Sequence, residues 1–198
     1  VFVGEMAARY GVPFFEKTFD TAQFASENGL STQMAARELR YAWFSELCTE
    51  HNFAATLTAH HLNDAVETLL LNLLRGTGLR GLAGMRNAEL GNAESRRFVS
   101  PFRISLIPHS ALDKIPHSAD SAFRIPIRPL LFATRADLDA YAAAEGLEWR
   151  EDASNATDDY ARNAVRHHVV PRLLDVNPAF FQTAERTLQR LADTQNNL

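Results

Sequence analysis

The segment over residues 53–74 constrains the fold more than any other part of the chain. Its first part, FAATLT over 53–58, is a short apolar run that predicts a buried strand. Its second part, over 61–74, has apolar residues at helical spacing, namely Leu62, Val66, Leu69, Leu70 and Leu73. This spacing predicts an amphipathic helix. A strand that leads directly into a helix is typical of parallel sheets, which bind ligands at the carboxyl ends of their strands.

The residues before this segment continue the alternation of helices and strands. Residues 1–10 read as the end of a helix that Gly11 can close, and 12–19 as a short buried strand. Residues 20–31 are a loop or short helix, and 32–52 have helical spacing. We therefore expect an α/β fold with a doubly wound, Rossmann-like parallel sheet.

The second half of the chain is predicted to be less regular at first and then helical. Residues 87–127 are rich in proline and serine, so we interpret them as an inserted hairpin-like excursion. This excursion divides the chain into an α/β core over 1–86 and a mostly helical part over 128–198. In the latter, Thr134 and Asp137 can form a capping box, and a last pair of helices divides near residues 177–178.

Composition excludes several classes of protein. The net charge of −4 does not by itself indicate a nucleic-acid binder, although 18 of the 20 basic residues are arginine. Cys48 is the only cysteine, so disulfides and paired-cysteine chemistry are excluded within the chain. No apolar run is long enough to span a bilayer, and no signal peptide is visible. We expect a cytoplasmic protein without a membrane segment.

The segment TAHHLNDAVETLLL, over 58–71, has the strongest chemical signature. If it is helical, His60, Asp64 and Glu67 share one face with Leu71. A histidine and two carboxylates on one face suit a polyphosphate with its Mg²⁺, because that ion prefers hard oxygen ligands. An ordinary helix with a solvated acidic face explains the pattern equally well. A zinc site is disfavoured, since the HExxH spacing is absent.

Three further groups of residues gain meaning only together. Arg37 and Arg40 are neighbours on a helix with Tyr41 beside them, which suits phosphate and base contacts or merely a solvated face. The stretch RGTGLRG over 75–81 is a glycine-rich turn that can approach an anion, a weak signal alone. The block over 149–166 contains WREDASN and three arginines. Its Asn and Asp residues can also serve simply as turn residues.

The order of the motifs ARELRY, TAHHLNDAVETLLLNLLRGTGLRGLAGM, IRPLL and WREDASNATDDYARNAVRHHVVPRLL resembles the tRNA(Ile)-lysidine synthase family. These enzymes are N-type ATP pyrophosphatases of the PP-loop superfamily, with an adenine nucleotide alpha hydrolase-like fold. The resemblance implies ATP, Mg²⁺, L-lysine and a tRNA(Ile) with a CAU anticodon. It implies adenylation of the wobble cytidine at O2, after which lysine displaces AMP. A homodimer is possible.

The resemblance also implies roles for individual residues. The catalytic and ATP–magnesium centre would comprise His60, Asp64 and Glu67, with Asp64 and Glu67 as metal ligands. Phosphate contacts would come from His60, His61, Arg75, Gly76 and Gly78. The tRNA contacts would come from Arg37, Arg40, Tyr41, Arg128, Arg162 and Arg166. Lysine binding or closure of the site would involve Asp152, Asn155 and Asn163, and Asp64 is a second candidate for orienting the lysine amine.

Three departures from the family pattern leave alternatives open, and one of them is that the C-terminal domains of many members would begin only after residue 198. The SGGxDS loop that cradles pyrophosphate is absent, so we expect the 198 residues to be a fragment that cannot turn over ATP alone. The region between the GM and RPLL motifs is also longer than the family pattern leads us to expect. The alternatives are a tRNA-thiolating relative, disfavoured by the single cysteine, and a non-catalytic tRNA-binding module. An unrelated α/β domain is the remaining one.

Overall fold

The computed structural model describes residues 2–53, 55–85, 127–151 and 161–197. The chain divides into two compact units, Val1–Phe53 and Ala54–Leu198. The first contains helices α1 (Phe2–Tyr10), α2 (Thr21–Asn28) and α3 (Thr32–Glu50). The helices of the second unit are α4 (Leu62–Leu74), α5 (Leu79–Leu82), α6 (Arg135–Ala144), α7 (Ala161–Ala164), α8 (Val170–Val176) and α9 (Phe180–Asn196). A π-helical turn, Val165–Val169, joins α7 to α8.

Local capping defines the helices of the first unit. Gly11 follows α1 with a positive φ of 65°, a conformation that glycine adopts without steric cost. The Asp20 carboxylate accepts a hydrogen bond from the Gln23 backbone N–H, and the Ser31 hydroxyl accepts one from the N–H of Met34. These contacts start α2 and α3, which pack against each other. The helices predicted over 1–10 and 32–52 are confirmed, and the short-helix option for 20–31 is correct.

The strand predicted over residues 12–19 is not formed. The segment connects α1 to α2 without regular secondary structure. A strand exists only as part of a hydrogen-bonded ladder, and no described residue pairs with this segment in one. Residues 12–18 are also exposed, so the burial predicted from the apolar pattern is wrong as well as the strand.

The strand predicted over 53–58 is reduced to a single parallel bridge, between Leu57 and Ile127. The Ile127 backbone N–H donates to the Thr56 carbonyl at 2.8 Å, and the Thr58 N–H donates to the Ile127 carbonyl at 2.9 Å. The parallel direction agrees with the prediction. Among the described residues this bridge is not extended into a strand, so a doubly wound sheet is not confirmed.

The core of the second unit lies between α4 and the helices near the end of the chain. Leu62 and Val66 of α4 pack with Ala184 of α9. Further along α4, Leu71 packs with Val165 and Val170. One side of α4 is thereby fixed by aliphatic burial, which leaves its polar side to the candidate site.

The helices predicted late in the chain are confirmed. Thr134 and Asp137 form the capping box at the start of α6. Helix α8 ends at Val176 and α9 begins at Phe180, on either side of the predicted break. No helix in the described ranges is long and apolar enough to cross a membrane. The predicted boundaries at 86 and 127 remain predictions, because 86–126 lies outside the described residues.

Candidate functional site

The N-terminus of α4 is shaped by a reciprocal contact between its first residues. His61 is the N-cap residue, and its backbone N–H donates to Asp64 Oδ2 at 3.0 Å. His61 Nδ1 lies 3.4 Å from the same oxygen. A carboxylate at this position is favourable because the first N–H groups of a helix carry partial positive charge. Asp64 is therefore fixed at the start of α4, with its side chain 15% exposed.

The sequence predicts that His60 shares a helical face with Asp64 and Glu67, but the structure does not place it on the helix. Helix α4 begins at Leu62, so His60 lies in the preceding extended segment. Its Nδ1 is 2.9 Å from the Thr58 hydroxyl. The prediction failed because helical spacing was extended two residues beyond the N-terminus of the helix. Asp64 and Glu67, by contrast, contact the same two arginines, as their shared face predicts.

Glu67 is the most deeply buried charged residue described, with 2% exposure. Arg166 donates to both of its oxygens, from Nε to Oε1 at 2.7 Å and from Nη2 to Oε2 at 3.1 Å. This bidentate pair is a strong form of charge-assisted hydrogen bond. It also raises the pKa of Arg166, mainly through the hydrogen bonds to Glu67, against an opposing effect of burial.

Arg162 adds a second guanidinium to this group. Its Nη2 donates to the Thr68 hydroxyl at 3.0 Å, and its Nη1 lies 3.9 Å from Asp64 Oδ1. Arg166 Nη2 lies 3.7 Å from the same Asp64 oxygen. We call Asp64, Glu67, Arg162 and Arg166 the charged cluster. It joins residues about 100 positions apart in sequence, and it contains two carboxylates and two guanidinium groups.

A π-helical turn follows Arg162 and contains Arg166. In this turn the Val170 backbone N–H bonds to the Val165 carbonyl five residues earlier, instead of four. Val165 and Val170 are both buried against Leu71 as a result. Five residues of regular α-helix would place these valines on different faces. Single π-helical turns occur often at functional sites.

A second junction connects α4 to α6. The Leu62 backbone N–H donates to the Ala133 carbonyl, and the Arg135 N–H donates to the Asn63 side-chain oxygen, at 2.9 and 3.0 Å. The Arg135 guanidinium bonds in turn to Glu151 at 2.8 Å. Sequence reasoning missed Asn63, Thr68 and Arg135 as site residues. Asn63 and Thr68 each flank a predicted carboxylate in sequence. Their roles become visible only through their hydrogen bonds to Arg135 and Arg162, which are far away in the chain.

The other predicted phosphate-binding residues belong to the turn after α4. Gly76 has a positive φ of 69° there, and Gly78 is the N-cap residue of α5. The Asn72 side chain donates to the Gly81 carbonyl at 2.8 Å and thereby closes the turn. Arg75 is exposed and forms no ion pair with the charged cluster in the described part of the chain.

The predicted arginine and tyrosine group on α3 is arranged as a stack. The Arg37 guanidinium carbon lies 4.7 Å from the centre of the Tyr41 ring, a cation–π contact. Arg37 and Arg40 are exposed. These residues belong to the first unit, whereas the charged cluster belongs to the second.

The last group of predicted residues is only partly described. Asn163 is buried in α7, and Arg128 directly follows the bridge residue Ile127. Asp152 and Asn155 lie outside the described residues. Among the described residues, no three or more histidine, cysteine or acidic side chains lie close enough together to hold a metal ion.

Comparison with known proteins gives a consistent result. The PP-loop domain family matches residues 1–173. A tRNA(Ile)-lysidine synthase of Parabacteroides distasonis is 37% identical over 191 residues, which is 96% of this chain and 36% of that protein. The synthase of Porphyromonas gingivalis is 35% identical over 96% of this chain and 35% of its own length.

A third relative covers the whole chain. The tRNA(Ile)-lysidine synthase of Chlorobaculum tepidum is 32% identical over 197 residues, which is 100% of this chain and 48% of that protein. The chain thus spans about a third to a half of the length of these relatives. The resemblance drawn from the four sequence motifs is confirmed.

Proposed function

Because the chain belongs to the PP-loop domain family, we propose that the protein is a tRNA(Ile)-lysidine synthase. Similarity to proteins of that name along 96% of the chain carries the proposal. PP-loop membership implies ATP as the co-substrate. It also implies the adenine nucleotide alpha hydrolase-like fold, and the parallel direction of the Leu57–Ile127 bridge supports the predicted doubly wound sheet.

The proposed reaction has two steps. The O2 atom of the wobble cytidine attacks the α-phosphate of ATP, and pyrophosphate leaves. The lysine amine then attacks C2 of the base, and AMP leaves with the oxygen. Both steps need cationic groups near phosphate, which Arg162 and Arg166 supply at the N-terminus of α4. A tRNA substrate also implies a cytoplasmic location.

Asp64 is the stronger of the two predicted Mg²⁺ ligands. Its carboxylate is partly exposed at the start of α4 and offers the hard oxygen donors that Mg²⁺ prefers. Both Glu67 oxygens accept hydrogen bonds from Arg166, so Glu67 would have to exchange that partner to bind a metal. When bound, Mg²⁺ would neutralise charge on the departing pyrophosphate.

The remaining predicted roles become part of the same proposal. His60, His61, Arg75, Gly76 and Gly78 would surround the ATP phosphates. The proposed tRNA contacts are Arg37, Arg40, Tyr41, Arg128, Arg162 and Arg166. Asp152, Asn155 and Asn163 would bind L-lysine or close the site, and either Asp64 or Asp152 would orient the lysine amine. The homodimer stays a prediction.

Lysine incorporation into a tRNA(Ile) transcript with a CAU anticodon tests the proposal. We expect the full-length protein to attach labelled lysine only when ATP is present. Glu67→Ala and Arg37→Ala should each lower the rate by about 100-fold or more, because Glu67 holds the Arg166 guanidinium and Arg37 would contact the tRNA. Arg190→Ala, which changes an exposed arginine of α9, should stay near the parent rate.

The outcomes separate the proposal from its alternatives. A protein that binds the transcript without incorporating lysine would be a tRNA-binding module. Incorporation of sulfur in place of lysine would indicate a thiolating enzyme. A folded protein that neither binds nor modifies the transcript would contradict the proposed function.

A further inference from the structure

We propose that Glu67 is a positioning residue that fixes the Arg166 guanidinium for a phosphate-bearing ligand, and that it does not ligate Mg²⁺. The inference rests on the proposed function for the identity of the ligands, ATP or tRNA. It concerns the division of work between the two carboxylates of the charged cluster. Asp64 would remain the carboxylate that meets metal or substrate.

Exposure distinguishes the two carboxylates. The Glu67 side chain is 2% exposed, whereas that of Asp64 is 15% exposed. A ligand arriving from solvent therefore meets Asp64 and the arginines before Glu67. The Arg166 side chain is 33% exposed and the Arg162 side chain 36% exposed, so both guanidinium groups can be reached. Glu67 lies behind them, as expected for a residue that acts through another.

The hydrogen-bond geometry fixes the plane of the Arg166 side chain. Two parallel bonds, at 2.7 and 3.1 Å, join its Nε and Nη2 to the two Glu67 oxygens. A bidentate contact restrains rotation as well as distance, which a single hydrogen bond does not. The edge of the guanidinium away from Glu67 is thereby held in one orientation, which suits recognition of a phosphate.

The backbone also favours this arrangement. The π-helical turn Val165–Val169 contains Arg166, and it keeps Val165 and Val170 together in the core while the arginine lies against α4. Arg162, one turn earlier, bonds to Thr68, the neighbour of Glu67. The two arginines are thus held by adjacent residues of α4. The second anchored arginine distinguishes this arrangement from an isolated surface ion pair.

Binding measurements with conservative variants test this assignment. The affinities of the full-length protein for ATP and for the tRNA(Ile) transcript are measured separately by calorimetry, with EDTA and with saturating Mg²⁺. Glu67→Gln and Arg166→Lys should each lower the affinity for at least one of these ligands about tenfold, in EDTA as well as in Mg²⁺. The double variant should bind no more weakly than the single variant with the lower affinity, because both changes disturb the same guanidinium. Arg172→Lys is the matched control, since in the described part of the chain that exposed arginine pairs with Asp175 at the surface and not with the charged cluster.

Two results would overturn the assignment in favour of a metal role. One is a loss for Glu67→Gln that appears only with Mg²⁺. The other is a double variant whose affinity falls about a hundredfold, the product of the two tenfold losses of the single variants. Glu67→Asp serves if Glu67→Gln does not fold. It keeps an oxygen ligand but is too short for both bonds, so positioning predicts weaker binding and an unchanged Mg²⁺ half-saturation.

The test is separate from that of the proposed function. Which arm responds identifies the ligand as ATP or tRNA. A parent protein that binds either ligand but attaches no lysine contradicts the proposed function and leaves the positioning role standing. A parent that binds neither ligand, or single variants that weaken neither, would overturn the positioning role.

Discussion

At the scale of single residues, the burial of Glu67 sets the energetics of the charged cluster. A carboxylate with 2% exposure loses its hydration, and its charge is tolerable only with a well-oriented partner. Arg166 supplies two direct hydrogen bonds, while Arg162 Nε approaches Glu67 only to 4.0 Å. The two arginines should therefore differ in their importance for stability.

Replacing Arg166 with methionine tests this difference. The change leaves the buried Glu67 carboxylate without its main partner, which should lower the free energy of unfolding by about 3 kcal/mol. Arg162→Met, the matched control, should cost about 1 kcal/mol, because its hydrogen bond to Thr68 is partly exposed. Urea unfolding monitored by circular dichroism measures both. Equal decreases in the free energy of unfolding would mean that the bidentate pair stabilises the fold no more than the single hydrogen bond of Arg162 does.

The sequence predicted one side of the charged cluster better than the other. Asp64 and Glu67 are three residues apart, and helical periodicity alone places them together. The pairing of Glu67 with Arg166 spans 99 positions, so no local pattern could reveal it. The family resemblance singled out both residues, but it implied separate roles for them, Glu67 in the ATP–magnesium centre and Arg166 in tRNA binding. The helical position predicted for His60 was wrong, because helix starts depend on capping contacts such as the one between His61 and Asp64.

At the scale of elements, helices were predictable because their signals are local. The capping box of α6 is an example, since Thr134 and Asp137 contact each other within one turn. The strands predicted over 12–19 and 53–58 depend on partners elsewhere in the chain. Of these segments, the second forms only the Leu57–Ile127 bridge among the described residues. Periodicity states which residues are apolar, but it does not state what they pair with.

The capping box also predicts a pH dependence of stability. The Thr134 hydroxyl and backbone N–H donate to Asp137, at 2.6 and 2.8 Å, and they lower the pKa of its carboxyl below 3.8. Because the folded pKa is the lower one, the stabilisation is complete above 3.8 and is lost as pH falls through the folded value. Asp137→Ala should therefore lower the free energy of unfolding near neutral pH by about 0.5–1 kcal/mol.

Denaturant unfolding at several pH values checks this expectation. The difference between the parent and Asp137→Ala should shrink as the solution is acidified below 3.8. Thr134→Ser keeps a hydroxyl at the cap. Its free energy of unfolding should therefore still exceed that of Asp137→Ala by a pH-dependent amount close to that of the parent. A difference that is constant across the acid range would show that the carboxylate makes no charge-dependent contribution.

At the scale of the whole molecule, the two units differ in what they bury. In the first unit the buried hydrophobic residues are small, namely Ala7, Ala25, Ala35 and Cys48. Several of its large apolar side chains, such as Phe14 and Phe15, are exposed. The second unit buries leucines and valines of α4 and of the helical segment around residues 165–170. Stability from apolar burial should therefore be greater in the second unit.

Amide hydrogen exchange measures this difference directly. Amides of α4 should be more protected than those of α3, since local opening follows the apolar surface buried by each unit. Ser31→Ala removes the N-cap of α3 and should cost about 1 kcal/mol there, which is about fivefold in protection, while α4 is unchanged. Thr134→Ala is the reciprocal variant and should lower protection in the second unit alone. If each variant lowered protection equally in α3 and α4, the chain would open as one cooperative unit, and the separate energetics of the two units would be wrong.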